Sequence, residues 1–93
     1  MTDTERFQNI VCTMYDTYHK KNHDYGNSFA TTWNEFGSNG LVTAVAQISH
    51  KYHRLLNLTN GAQPQVDESL RDTLMDMANY CVLTLMELDK HSS

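Results

Sequence analysis

The chain reads as an all-α protein: a small helical bundle of three long helices plus one short helix, its core completed by homo-oligomerisation. Three observations carry this reading. Apolar residues recur at steps of three and four along most of the sequence, the mark of helices with one buried side. The turn-forming clusters "NHDYGNS", "GSNG" and "NLTNGAQPQ" separate these stretches, and the chain holds a single proline. Its 93 residues form one domain, 1–93, and an all-helical chain of this size often completes its core with another copy of itself.

The first helix starts at Thr2 or Asp3, because Thr2 and Glu5 have the spacing of a capping box. Phe7, Ile10, Val11, Met14, Tyr15 and Tyr18 then form one apolar stripe. The helix ends in "KKNHDYGNS", where lysines suit the negative end of the helix dipole and Gly26 permits a left-handed backbone. Ser28 is placed to cap a short second helix with Phe29, Trp33 and Phe36 on one side, closed by "GSNG". A third helix spans about 41–58, with Leu41, Val45, Ile48, Tyr52 and Leu55 in a near-heptad core stripe. Its opposite side carries Gln47, His50, Lys51 and Arg54. Asp67 is a good N-cap for a fourth helix reaching about residue 89, whose core stripe is Leu70, Leu74, Met77, Cys81, Leu85 and Leu88.

Composition narrows the function. Hydrophobic residues make up 40% and charged residues 19%, which suits a globular chain and not a disordered one. The net charge of −4 argues against a protein that coats nucleic-acid phosphates, so duplex DNA is not an expected partner. No apolar run approaches the ~20 residues of a membrane span, and "MTDTERFQNI" has neither a basic leader nor an apolar signal core. The expected location is the cytoplasm, with no membrane partner. Cys12 and Cys81 lie outside any C-x-x-C spacing and read as small core residues, not as a zinc site or a disulfide framework.

The most informative feature is an acidic face on the fourth helix. At ~100° per residue, Glu68, Asp72, Asp76 and Asn79 fall within about 80° of one another, opposite the core stripe. Like charges four apart repel by roughly 0.2–0.5 kcal/mol per pair. Val82, Leu83 and Met86 then make the helix apolar nearly all round, which reads as an enclosed segment. Glu68 reads as a solvated acid at a helix N-terminus. Asp72 and Asp76, further inside, read as partnered, either by Lys51 and Arg54 or by a divalent cation. Lys51 and Arg54 in turn read first as the wet side of their helix. The second reading is a point charge beside a planar fork, suited to a phosphate.

The segment "NHDYGNSF" is a helix stop followed by a helix start. It also offers a donor, an acceptor and an aromatic plane in His23, Asp24 and Tyr25, while Gly26 lets the backbone approach a ligand. The helix N-terminus at Asn27 and Ser28 would aim N–H groups at a phosphate. Tyr25 is the best stacking candidate; Trp33 and Phe36 read as core, and His50 and His53 as polar surface. No residue qualifies as a nucleophile, so catalytic residues are unknown.

Taken together, "HDYGNSF", "ISHKYHRLLNL" and "DESLRDTLMDMANYCVL" resemble the nucleotide modification associated domain 1 family, small proteins of phages and bacteria. That family is in turn similar to the MazG-like all-α nucleoside triphosphate pyrophosphohydrolases. The resemblance covers roughly residues 20–88 and implies an oligomeric helical bundle, a dimer or tetramer, that holds a nucleotide between subunits or helices. Asp24, Tyr25 and Gly26 match the family's loop, Lys51 and Arg54 its basic pair, and Glu68, Asp72, Asp76, Asn79 and Tyr80 its final helix. In the pyrophosphohydrolases, magnesium sits between an E-x-x-E and an E-x-x-D pair and orients the attacking water. Here Gln47 and His50 stand where E-x-x-E belongs, no acid occurs between Glu35 and Asp67, and Asp72 and Asp76 are four apart.

Two functions follow. The first is a phage-type, non-catalytic binder without cofactor that sequesters a nucleotide or cyclic oligonucleotide in a host cytoplasm, as a sponge for a defence signal. Its ligand-binding residues would be His23, Asp24, Tyr25, Gly26, Ser28, Lys51, Arg54, Asp72, Asp76 and Asn79. The alternative is a Mg2+-dependent pyrophosphohydrolase or nucleotide-modification enzyme of MazG-like type, with Glu68, Asp72 and Asp76 as metal ligands. A third, plainer option is an interaction module whose faces only build an oligomer.

Overall fold

Thr2 and Glu5 cap the first helix reciprocally. The Glu5 N–H donates to Thr2 Oγ1 at 3.1 Å and the Thr2 N–H to Glu5 Oε1 at 3.0 Å, so two otherwise orphaned donors are satisfied at the helix start. These bonds hold the Glu5 carboxyl below its ordinary value, the backbone N–H of Thr2 contributing most and its hydroxyl next. The capped helix, α1, is Asp3–Tyr25. This is a computed structural model that describes residues 1–25, 27–60 and 68–92, without the side chains of 23–25 and 68.

A short helix α2 follows at Ser28–Phe36. Its cap is Asn27, whose Oδ1 accepts from the Ala30 N–H at 3.3 Å, and not Ser28 as the sequence suggested. Asparagine one residue earlier does the same work, because its carbonyl reaches the same donors. Gly37 closes α2 with φ 55° and ψ −119°, a left-handed conformation that favours glycine, while its N–H donates to Asn34 O. One 3-10 turn, Gly37–Asn39, leads into α3 at Gly40–Thr59, and α4 is Glu68–His91. The described residues contain no strand. No described helix is long and apolar enough to cross a membrane.

α3 and α4 are the main packed pair, and they run antiparallel. Lys51 meets Asp76 and Arg54 meets Thr73, so three residues forward in one helix is three residues back in the other. The seam between them is built from small and hydroxyl side chains: Ala44 on α3, Thr73 and Thr84 on α4. Each buried threonine hydroxyl donates back to its own helix, Thr73 to Ser69 O and Thr84 to Tyr80 O, both at 2.7 Å, which removes most of the penalty of burying it. At the end of the pair Trp33 packs against Gly40, 7% exposed, with the His91 ring parallel at 5.8 Å. Glu87 is also buried; Lys90 Nζ lies 3.4 Å from its Oε1 and 3.3 Å from its Oε2, but only the first contact has hydrogen-bond geometry.

The predicted helices are present, but three of their predicted core stripes face elsewhere. On α4, Leu74, Cys81, Leu85 and Leu88 are exposed, and only Leu70 and Met77 are half-buried. On α3, Leu41, Val45 and Tyr52 are exposed, while Ile48 and Leu55 are half-buried. On α1 only Met14 and Tyr18 are partly covered; Phe7, Ile10, Val11 and Tyr15 stand in the open. The cause is geometric. The α3–α4 contact uses the small residues, which let the backbones approach closely, and that choice rotates the large apolar stripes out of the seam. Three lesser expectations fall with it. Cys12 and Cys81 are exposed and are not core residues. Val82 is 44% exposed, so the second half of α4 is not enclosed. Phe36, at 53% exposure, is not core, whereas Trp33 is.

Candidate functional site

The side of the α3–α4 pair away from the large apolar stripes carries a cleft of about 350 Å3. Helical spacing builds three of its walls. Tyr18, Lys21 and Asn22 come from one face of α1 at steps of three and four. Asp76, Asn79, Tyr80 and Leu83 come from one face of α4, and Gln47 is the contribution of α3. The fourth wall is the beginning of α2, with Asn27, Ser28, Phe29 and Thr32.

Asp76 is the electrostatic centre. Lys51 Nζ lies 3.1 Å from its Oδ2 and Lys21 Nζ 3.5 Å from its Oδ1. The Lys51 and Asp76 side chains are half-buried, and Lys21 is open to solvent. Two ammonium groups against one carboxylate leave this spot positive, on a chain whose net charge is −4. An anion entering the cleft therefore meets two ammonium groups offset by a single carboxylate. The Lys51 ammonium also stands 6.0 Å from the centre of the Tyr80 ring, at the outer reach of a cation–π contact. Tyr80 and Phe29 form a stacked pair, with ring centres 6.1 Å apart and planes inclined by 24°.

Carboxamides line the remainder. Asn22, Asn27, Asn79 and Gln47 all reach the cleft, and each offers both a donor and an acceptor. The Asn27 oxygen is committed to the α2 cap. Positive charge at one spot, an aromatic pair beside it and amides around it can hold a small anion with a flat, hydrogen-bonding body.

Several residues singled out from the sequence converge here. Ser28, Asp76 and Asn79 line the cleft, and Lys51 reaches it through Asp76. Asp72 faces a neighbouring groove that shares Lys21 and Asp76 with the cleft. Arg54 lines neither; its Nε donates to Thr73 Oγ1 at 3.2 Å. Gly26 and the side chains of His23, Asp24, Tyr25 and Glu68 lie outside the described residues. Sequence reasoning missed Tyr18, Lys21, Asn22, Phe29 and Thr32. The signal for the first three was their shared helix face, hidden because Tyr18 also continues the apolar stripe.

The magnesium ligands suggested by the sequence include the Glu68 side chain, which lies outside the described residues. Among the described residues no three His, Cys, Asp or Glu side chains come together as a metal-holding group. Each oxygen of Asp76 already faces an ammonium group, which competes directly with a cation.

No curated protein and no solved structure matches the chain. The family profile described as nucleotide modification associated domain 1 matches residues 21–88, a span that takes in every cleft-lining residue except Tyr18. With well over half of its length matched, the chain belongs to the nucleotide modification associated domain 1 family.

Proposed function

We propose that this chain is a non-catalytic nucleotide-binding protein that holds its ligand unchanged in the α1–α2–α4 cleft. The observation that carries the reading is the Lys21–Asp76–Lys51 cluster beside the stacked Phe29–Tyr80 pair. Phosphate would take the place of the Asp76 carboxylate on the two ammonium groups or bridge between them, as a point-charge contact. A base would lie against the aromatic pair and exchange hydrogen bonds with Asn22, Asn79 and Gln47. The excess of a single positive charge suits a nucleotide with one phosphate per cleft, a monophosphate or a phosphodiester-linked oligonucleotide, better than a triphosphate. The cleft volume, at the small end of ligand sites, supports the same size class. In a phage, sequestration of a host's nucleotide defence signal, linear or cyclic, is the use such a binder would serve.

The test is direct. Purified protein is incubated with nucleoside mono- and triphosphates and with cyclic oligonucleotides, with and without magnesium. Bound and free fractions are then separated by filtration and chromatographed. Unaltered nucleotide retained by the protein and released by heat is the expected result. Monophosphate and pyrophosphate appearing only with magnesium would replace this reading with a pyrophosphohydrolase that uses Glu68, Asp72 and Asp76.

A further inference from the structure

The cleft does not end at Asp76. A second groove of about 420 Å3 adjoins it between α1 and α4, with Thr13 and Thr17 on one wall and Arg71, Asp72 and Met75 on the other. Lys21 and Asp76 line both spaces, so their 3.5 Å contact is the partition between them. The walls run on past it. Thr13, Thr17 and Lys21 follow at steps of four on α1, and the α4 wall continues at steps of three and four from Arg71 and Asp72 through Asp76 to Leu83, which keeps each set on one helix face. From Arg71 to Leu83 is about 18 Å along the helix axis, longer than one nucleotide.

Charge decides what can lie across the partition. Among the described residues, Lys21, Lys51 and Asp76 leave one positive charge at the cleft, and the second groove adds Arg71 and Asp72, one charge of each sign. The combined trough therefore matches a single negative charge. A phosphodiester carries one, whereas a terminal phosphate carries about 1.5–2 at neutral pH. Lys21 is open to solvent, and exposed ion pairs of this kind are weak enough for an entering phosphate to displace. Beyond the partition Arg71 has no ion-pair partner among the described residues. Its planar guanidinium is the flat group of a groove without an aromatic ring, and nucleobases stack on guanidinium planes. Met75 supplies apolar surface beside it. Thr13, Thr17 and Asp72 offer acceptors to sugar hydroxyls.

We infer that the trough takes two nucleosides joined by one phosphodiester. The phosphate lies on Lys21 and Lys51 at the partition, one base against Phe29 and Tyr80, and the second base against Arg71 and Met75. This inference rests on the cleft being a nucleotide site and narrows that reading: a second nucleoside, and not a second phosphate, supplies the added affinity, and Arg71 sets the preference for it.

Isothermal titration of the full chain tests it, comparing the nucleoside 5′-monophosphates with the dinucleoside monophosphates ApA, CpC, GpG and UpU, for the parent and for Arg71→Ala. Arg71 is exposed on α4, so its truncation leaves the helix packing intact, which circular dichroism checks. The expected result is one dinucleoside monophosphate bound roughly tenfold or more tighter than its mononucleotide, the order of one base-stacking contact. In Arg71→Ala that preference should largely disappear. A mononucleotide bound as tightly as its dinucleotide overturns the inference and leaves the cleft a nucleotide site. So does a dinucleotide preference that survives Arg71→Ala. Binding of neither class by the parent overturns the nucleotide reading of the cleft and this inference with it.

Discussion

Lys51 holds Asp76 across the α3–α4 seam at 3.1 Å, and this contact both fixes the antiparallel register of the two helices and places an ammonium group at the cleft. The acid is shared with Lys21 from α1, at 3.5 Å. A single carboxylate thus brings α1, α3 and α4 together at one point. Replacing Lys51 with methionine keeps the length of the side chain and removes the charge. A charge-assisted contact of this kind contributes about 1.5–3 kcal/mol, so nucleotide affinity should fall by roughly ten- to a hundredfold. Isothermal titration at two salt concentrations checks it, since the remaining affinity must also depend less steeply on salt. Unchanged affinity would remove Lys51 from the phosphate site.

Asp76→Asn separates the binder from a metal enzyme. If Asp76 only neutralises the lysines, the amide leaves both ammonium groups free for phosphate, and affinity at low salt is retained or rises. If it holds magnesium, binding and turnover both fall and magnesium no longer matters. The same titration with and without magnesium distinguishes these outcomes.

Helix spans were legible in the sequence because their signals are local. Thr2 and Glu5 lie three apart and cap each other as the spacing predicts, and the ends of α2 at Gly37 and of α3 at Asn60 fall inside two of the turn-forming clusters. Sidedness was not legible. The stripe Leu41, Val45, Ile48, Tyr52 and Leu55 has the period of a buried stripe, yet Leu41, Val45 and Tyr52 are exposed, because period alone does not say which side of a helix meets its neighbour. The intrachain seam is instead made by Ala44, Thr73 and Thr84, and threonine in a helix reads as surface until its hydroxyl is seen bonded to the preceding turn. At the site, Lys51 and Asp76 announced themselves as a basic and an acidic position on adjacent helices. Lys21 did not, because its partner lies 55 residues away along the chain, and a lysine near a helix C-terminus has a sufficient explanation in the dipole.

The capping box makes the start of α1 sensitive to acid. The Glu5 carboxyl is lowered in the folded chain from its ordinary 4.5 by the Thr2 N–H and hydroxyl. A depressed folded value means that the contribution is fully present above the unfolded value and is lost as pH falls through the lowered one. Protection of the Thr2 and Glu5 amides against exchange, measured by NMR relative to their intrinsic rates, should therefore be present at neutral pH and fall in acid below about 4.5. Thr2→Ala should exchange faster at all pH values. A Glu5 carboxyl that titrates at or above its ordinary value would show that the cap does not persist in solution.

Gly40 is the position where one added methyl group should do most harm. A Cβ built there lies 2.6 Å from Trp33 Cδ1, 2.7 Å from Cγ and 2.8 Å from Nε1, directly against the five-membered ring. The ring has little room to retreat, being 7% exposed with the His91 ring parallel at 5.8 Å. Two effects compete in Gly40→Ala. Helix propensity favours alanine by roughly 0.5–1 kcal/mol, and forcing a methyl group into a packed core costs about 1–3 kcal/mol. Overpacking wins, so the variant should lose stability by about 1–2 kcal/mol, which for a domain of this size lowers Tm by several degrees. Gly37→Ala is the informative control. A Cβ at Gly37 meets nothing within 4 Å, but the residue sits at φ 55°, so its cost is one of backbone conformation alone. Trp33 is the single tryptophan, and its emission reports on the contact. Both variants should melt earlier, but only Gly40→Ala should shift Trp33 emission in the folded state. A Gly40→Ala protein as stable as the parent, with unshifted emission, would mean that α2 and α3 do not meet as closely as Trp33 and Gly40 require.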